Sequence, residues 1–286
     1  MKRIGEGEPS RFEQFHNNIS AGYSYMPNDK LYFNVRLRLV FSNNPHMDIK
    51  SKVYNADNMD DFTYSSNMNH NGKVKPMFDI YYQRTLSKGQ TFAFNVTGAY
   101  LRERNNTLYM EENENEVLTY NDNRVNGERY ILTGEAIYEK KLAKRQVVDF
   151  GMKHSHTFAV SRHPAKGSET RSRLGYTYIF GEYKKRAGKW DYALGMGVTR
   201  SFHHNEGKDC ETMYAVNPRM NIQYKISETS KVRLKGSARN SSPGYSDLDE
   251  TIQFVDSLQL KRGNAALQSY MRYNARQAGK VGQAAF

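Results

Sequence analysis

Lys189-Trp190-Asp191-Tyr192-Ala193-Leu194-Gly195-Met196-Gly197-Val198-Thr199 puts Trp190, Tyr192, Leu194, Met196 and Val198 on one side and Lys189, Asp191, Ala193, Gly195, Gly197 and Thr199 on the other. That two-residue period belongs to a β-strand, since a helix returns to the same face only about every 3.6 residues. The preceding arm alternates as well. Leu174, Tyr176, Tyr178 and Phe180 read as its apolar face, and a basic turn from Tyr183 to Gly188 joins the two arms.

The same unit recurs in both directions. Ile19, Ala21, Tyr23 and Tyr25 turn at Pro27-Asn28-Asp29-Lys30 into Leu31, Phe33, Val35, Leu37, Leu39 and Phe41, with Asn34, Arg36 and Arg38 on the opposite face. Phe78, Ile80 and Tyr82 turn at Ser87-Lys88-Gly89-Gln90 into Phe92, Phe94, Val96, Gly98 and Tyr100. Tyr130, Leu132, Ala136 and Tyr138 lead through a basic turn at 140–145 to Val148, Phe150 and Met152, beyond which His154 and His156 take apolar places. Met220, Ile222, Tyr224 and Ile226 cross Ser227-Glu228-Thr229-Ser230 into Val232, Leu234, Gly236 and Ala238, opposite Arg219, Lys225, Arg233, Lys235 and Arg239.

About ten strands result, joined alternately by short turns and by long polar connections at 42–75, 105–129, 161–171, 203–214 and 240–268. The expected fold is all-β: an antiparallel up-and-down transmembrane β-barrel, incomplete, with the long loops facing the medium. The expected division is a lead-in at 1–17, barrel wall at 18–273 and a non-barrel tail at 274–286.

Composition agrees with a wall. Tyr (21) and Phe (14) are abundant and Pro (7) is scarce among 286 residues, while the hydrophobic share is only 38% and the mean hydropathy is -0.83. A globular core of this size needs more apolar residues, whereas a wall between lipid and water needs one apolar face per strand. No stretch approaches the roughly 18 apolar residues of a membrane helix. Residues 1–15 hold no apolar leader core, so a fragment of a longer protein is expected.

Under this topology Leu37, Phe94, Tyr178, Trp190 and Met196 are expected to face lipid, with Tyr25, Tyr82, Tyr138 and Trp190 in an interfacial girdle. Asn34, Arg36, Arg38, Arg219, Lys225, Arg233, Lys235 and Arg239 are expected to line a lumen that attracts anionic or hydroxylated solutes, or to be solvated, or to pair with a plug. The net charge of +12 suits membrane lipid and lipopolysaccharide; no nucleic-acid motif accompanies it.

No catalytic residue, cofactor or metal ligand is assigned. His154 and His156 share a face but read as surface histidines, and adjacent His203 and His204 point apart. The acidic runs at 57–61 and 111–116 lack a calcium-loop pattern. Cys210 has no thiol partner. No nucleophile elbow or paired-carboxylate site is present, so an enzyme is not expected.

The C-terminal part adds a family resemblance. Ala238-Arg239-Asn240-Ser241-Ser242-Pro243, Asp247-Leu248, Val255-Asp256-Ser257-Leu258 and Gly263-Asn264-Ala265-Ala266-Leu267 resemble the TonB-dependent receptor-like outer-membrane β-barrel family of Bacteroidetes, over 231–273. Gly263, Asn264 and Leu267 match the family's Gly-Asn-Pro-x-Leu-x-Pro element, while Ala265 and Ser269 replace its prolines. The resemblance implies a Gram-negative cell outer membrane and a parent that imports an iron chelate, cobalamin or glycan through a plugged barrel of about twenty-two strands. It also implies the TonB energy-coupling system and a surface lipoprotein as partners. Two other readings stay open: a passive porin-like or structural barrel, and a soluble β-sandwich binding module.

Overall fold

The computed structural model describes residues 3–86, 89–143, 145–244, 247–254, 259–264 and 266–280. Fifteen strands follow in chain order: β1 (Arg3–Glu8), β2 (Phe12–Asn28), β3 (Leu31–Met47), β4 (Ile49–Asn55), β5 (Asn58–Thr85), β6 (Gln90–Glu112), β7 (Val117–Leu142), β8 (Gln146–His163), β9 (Ser168–Ala187), β10 (Trp190–Asn205), β11 (Glu211–Lys225), β12 (Lys231–Ser241), β13 (Gln253–Phe254), β14 (Leu260–Lys261) and β15 (Tyr270–Lys280). Thirteen belong to one antiparallel sheet. Its order is β1-β4-β5-β6-β7-β8-β9-β10-β11-β12-β15, with β3 also paired to β5 and β2 to β3.

Neighbours in the chain are neighbours in space, as an up-and-down meander requires. The sheet does not close: among the described residues β1 and β2 at one side and β15 at the other pair with a single strand each. Among the described residues the only other sheet is the short pair β13 and β14, of which β13 touches β7.

The strands are longer than the sequence suggested. β5, β6 and β7 run 28, 23 and 26 residues, whereas roughly 9–11 tilted residues cross a bilayer. Most of the segments at 42–75 and 105–129 that read as loops are strand: Asn67 pairs with Tyr109, and Asn105 with Val125. Polar side chains there mark the end of the apolar band; backbone pairing continues, because a ladder needs only N–H and C=O groups.

Strand pairing also extends past 18–273 in both directions. β1 lies within 1–17, yet it pairs with β4, and Arg3 reaches the buried Glu111 carboxylate at 3.1 Å. Residues 274–280, expected outside the wall, pair with β12 along β15. Residues 281–286, 255–258 and Ala265 lie outside the described residues.

Candidate binding surface on the polar face of the wall

Directly paired residues of an antiparallel sheet point to the same side, so the register assigns faces across the wall. Leu37 opposes Phe78, Phe78 opposes Gly98, and Phe94 opposes Tyr82 and Ala136. Continuing through β7, β8 and β9, the same side carries Phe150, Met152 and Ile179, then Trp190, Leu194, Met196 and Val198 on β10. Leu37, Phe94, Trp190 and Met196 thus share one apolar face, where they are 56%, 41%, 42% and 62% exposed. Tyr25, Phe33, Tyr82 and Phe94 form a cross-strand row on it near the short turns.

Tyr178 is a correction. Ala187 pairs with Trp190 across the two-residue turn Gly188-Lys189, so even-numbered residues of β10 share a side with odd-numbered residues of β9. Tyr178 therefore opposes Thr199, and with Tyr176 and Phe180 stands on the polar face. The sequence reading followed the richer aromatic row, but a one-residue slip moves a whole row to the other side. Glycines accommodate these rings. A Cβ on Gly197 would lie 2.3 Å from Tyr178, and one on Gly151 2.4 Å from Phe180.

By register Asn34, Arg36, Arg38, Arg219, Lys225, Arg233 and Lys235 stand on the polar face, in two groups separated by β5 to β10, while Arg239 lies beyond the β11 pairing. In the first, the Asn34 amide donates to Ser24 Oγ at 2.8 Å, Arg36 opposes Gly22 and Asp79, and Arg38 opposes Ser20 and Met77. In the second, Arg219 lies 4.7 Å above the Phe180 ring and pairs with Glu182 at 2.7 Å. Lys184 sits between Asp149 and Glu182. Arg233 donates to Gln223 Oε1 at 2.6 Å.

Beyond that cluster the polar face turns wholly basic. Lys225 opposes Lys231, Lys235 opposes Arg276 and Arg239 opposes Arg272. From Asn217 to Lys225 and throughout β12 and β15, no carboxylate occurs. Like charges placed directly opposite cost about 0.2–1 kcal/mol per pair, which an anion between them reverses.

At the long-loop end, described residues between 242 and 269 fold back over the polar face. Leu248 is buried there, and Asp249 Oδ2 meets His163 Nε2 at 3.0 Å beside Ser161. Burial pushes the Asp249 carboxyl up, but hydrogen bonds from His163 and Thr251 outweigh it and hold the group at about 2. The Gly263 and Asn264 amides donate to the carbonyls of Asp249 and Asp247 at 2.8 and 2.7 Å. A Cβ on Gly263 would lie 2.4 Å from the Asp249 carbonyl, which explains glycine in the Gly-Asn motif. Ser161 and Asp249 both meet the same ring nitrogen, so the trio is a clamp without the two-sided relay of a hydrolase triad. Periodicity gave no sign of this clamp, which joins residues 86 positions apart.

Residues 176–276 match the model of the Outer membrane protein beta-barrel family. No curated protein sequence matches. Among solved structures, the ferric-catecholate import receptor Fiu from E. coli K12, in its closed form, has a TM-score of 0.54 at 8% identity, over 85% of this chain and 50% of the receptor. BauA, the ferric preacinetobactin receptor from Acinetobacter baumannii, has a TM-score of 0.53 at 6% identity, over 98% of this chain and 51% of the receptor. The chain spans about half the length of these receptors. Residues 176–276 thus carry a signature similar to the Outer membrane protein beta-barrel family, and the open antiparallel wall as a whole resembles these import receptors in fold.

Proposed function

We propose that this chain forms part of the barrel wall of an outer-membrane import receptor, with the apolar face against lipid and the polar face toward a water-filled interior through which a large anionic solute passes. The observation that carries this reading is the division of one sheet into two chemically opposed faces, the apolar one exposed. Leu37, Phe94, Leu194 and Met196 stand exposed on one side, where a soluble sandwich would bury them.

The rest follows from that orientation. Short turns at 28–31, 226–230 and Gly188-Lys189 lie at the periplasmic end, and the extended hairpins and the Leu248–Asp249 region reach the medium and its lipopolysaccharide. Trp190, 4.6 Å from Tyr224, sits in the interfacial girdle. The basic ladder of Lys225, Lys231, Lys235, Arg239, Arg272 and Arg276 meets the solute, and a ferric chelate bearing several negative charges is its best match. Coupling to TonB, and delivery of solute by a surface lipoprotein, belong to the whole receptor.

Trp190 is the sole tryptophan, so its fluorescence reports one position. Refolded in maltoside micelles, it should be quenched strongly when detergent chains carry bromine; a spectrum indifferent to bromination refutes the lipid assignment. Equilibrium dialysis against a trianionic ferric tris-catecholate should show salt-sensitive retention, weakened in a Lys235→Gln/Arg239→Gln variant. Equal retention of a neutral dextrin would sink the anionic reading and leave the membrane one standing.

A further inference from the structure

The molecule carries a cluster of metal-ligating side chains well away from the basic ladder. The ligand atoms of His46, Asp48 and His70 lie within 4.8 Å of one another, at the junction of β3, β4 and β5 on the long-hairpin side of the sheet. A β-bulge assembles them. Phe15 pairs with Asn43, but Glu13 pairs with His46, so one extra residue of β3 intervenes and the strand changes face between Asn43 and His46. That turn brings the His46 ring edge-on to His70, with centroids 5.4 Å apart. Asp48 is held beneath them, its amide donating to the Arg11 carbonyl at 2.9 Å.

Two observations point to a cation rather than a hydrogen-bonded trio. His46 Nδ1 and Asp48 Oδ2 are 3.4 Å apart, long for a direct N–H···O bond and close to the edge of a tetrahedron with bonds of about 2.0–2.1 Å, roughly 3.4 Å. The Asp48 side chain is nine-tenths buried, and its Oδ1 has no hydrogen-bond partner. A buried carboxylate oxygen left unpaired is costly, and a cation held by that carboxylate offsets the cost.

We propose that His46, Asp48 and His70 bind a divalent transition-metal ion of the zinc class, fixing the β3–β4 turn to β5. Two imidazoles and one carboxylate favour zinc, cobalt or nickel over calcium or magnesium, which prefer all-oxygen shells. Three protein ligands leave a fourth position for water or for a donor atom of a passing solute. The site depends on neither the lipid assignment nor the anionic solute.

The test uses the full chain refolded in detergent and stripped with EDTA. Added Co2+ should give the visible absorption of a tetrahedral centre at one ion per chain, and Zn2+ should displace it. His70 is exposed, so His70→Ala should keep the far-ultraviolet circular dichroism of the wild type while weakening Co2+ binding at least tenfold. Asp48→Asn should weaken it similarly, and His154→Ala/His156→Ala should bind as the wild type does. Wild-type chain that takes up no more Co2+ than His70→Ala, or Ca2+ that competes as well as Zn2+, overturns the proposal.

Discussion

Asp249→Asn tests the clamp that holds Leu248 and Asp249 against the wall. Asparagine keeps the shape and still accepts from the Thr251 amide, so the substitution removes charge and little else. A carboxyl held at about 2 instead of 3.8 corresponds to about 2 kcal/mol favouring the ionised, closed loop. Allowing for water at the loop surface leaves about 1–2 kcal/mol, a factor of about 5–30 in the opening equilibrium. Hydrogen exchange at pH 7 should therefore speed up by that factor at the Thr251, Gly263 and Asn264 amides, while β5 to β7 exchange as before. Because the folded value is depressed, the contribution is complete above pH 3.8 and disappears as pH falls through about 2. Pepsin should accordingly cut near Leu248 faster at pH 2 than at pH 4 in the wild type, with the contrast largely lost in Asp249→Asn. Unchanged loop exchange, or faster exchange spread over the whole sheet, would refute the clamp.

Gly263→Ala forces a Cβ against the Asp249 and Asp247 carbonyls; loop exchange should rise by at least the Asp249→Asn factor, with the sheet's melting temperature unchanged. Gly197→Ala meets the Tyr178 ring and should cost about 1–3 kcal/mol by urea unfolding in detergent. Adding Tyr178→Ala should recover much of that loss, and strictly additive losses would contradict the shared polar face. Met196 lies six residues from Trp190, which at about 3.4 Å per residue and about 40° tilt is about 15 Å deeper along the membrane normal. Met196→Lys should then cost about 2–4 kcal/mol in vesicles, and Thr199→Lys, on the opposite face, should leave folding yield much less changed if the extra length finds water.

Alternation by itself determined that this chain is an antiparallel meander with one greasy and one polar side, because a period of two admits no other regular structure. Within single strands it set Leu37 against Arg36 and Arg38, and Met196 against Gly195 and Gly197, and Gly263-Asn264 marked the C-terminal resemblance. Tertiary structure decided the rest. Hairpin register across Gly188-Lys189 turned Tyr178 and Phe180 onto the polar side, a choice local alternation leaves open where both rows of a strand hold bulky residues. Backbone pairing carried β5, β6 and β7 through polar segments that composition reads as loops. The His163–Asp249 clamp and the His46–Asp48–His70 cluster arise from a folded-back loop and a β-bulge, and neither leaves a periodic trace. Sequence period fixes which way a side chain points within its own strand, but only pairing between strands decides what it meets there.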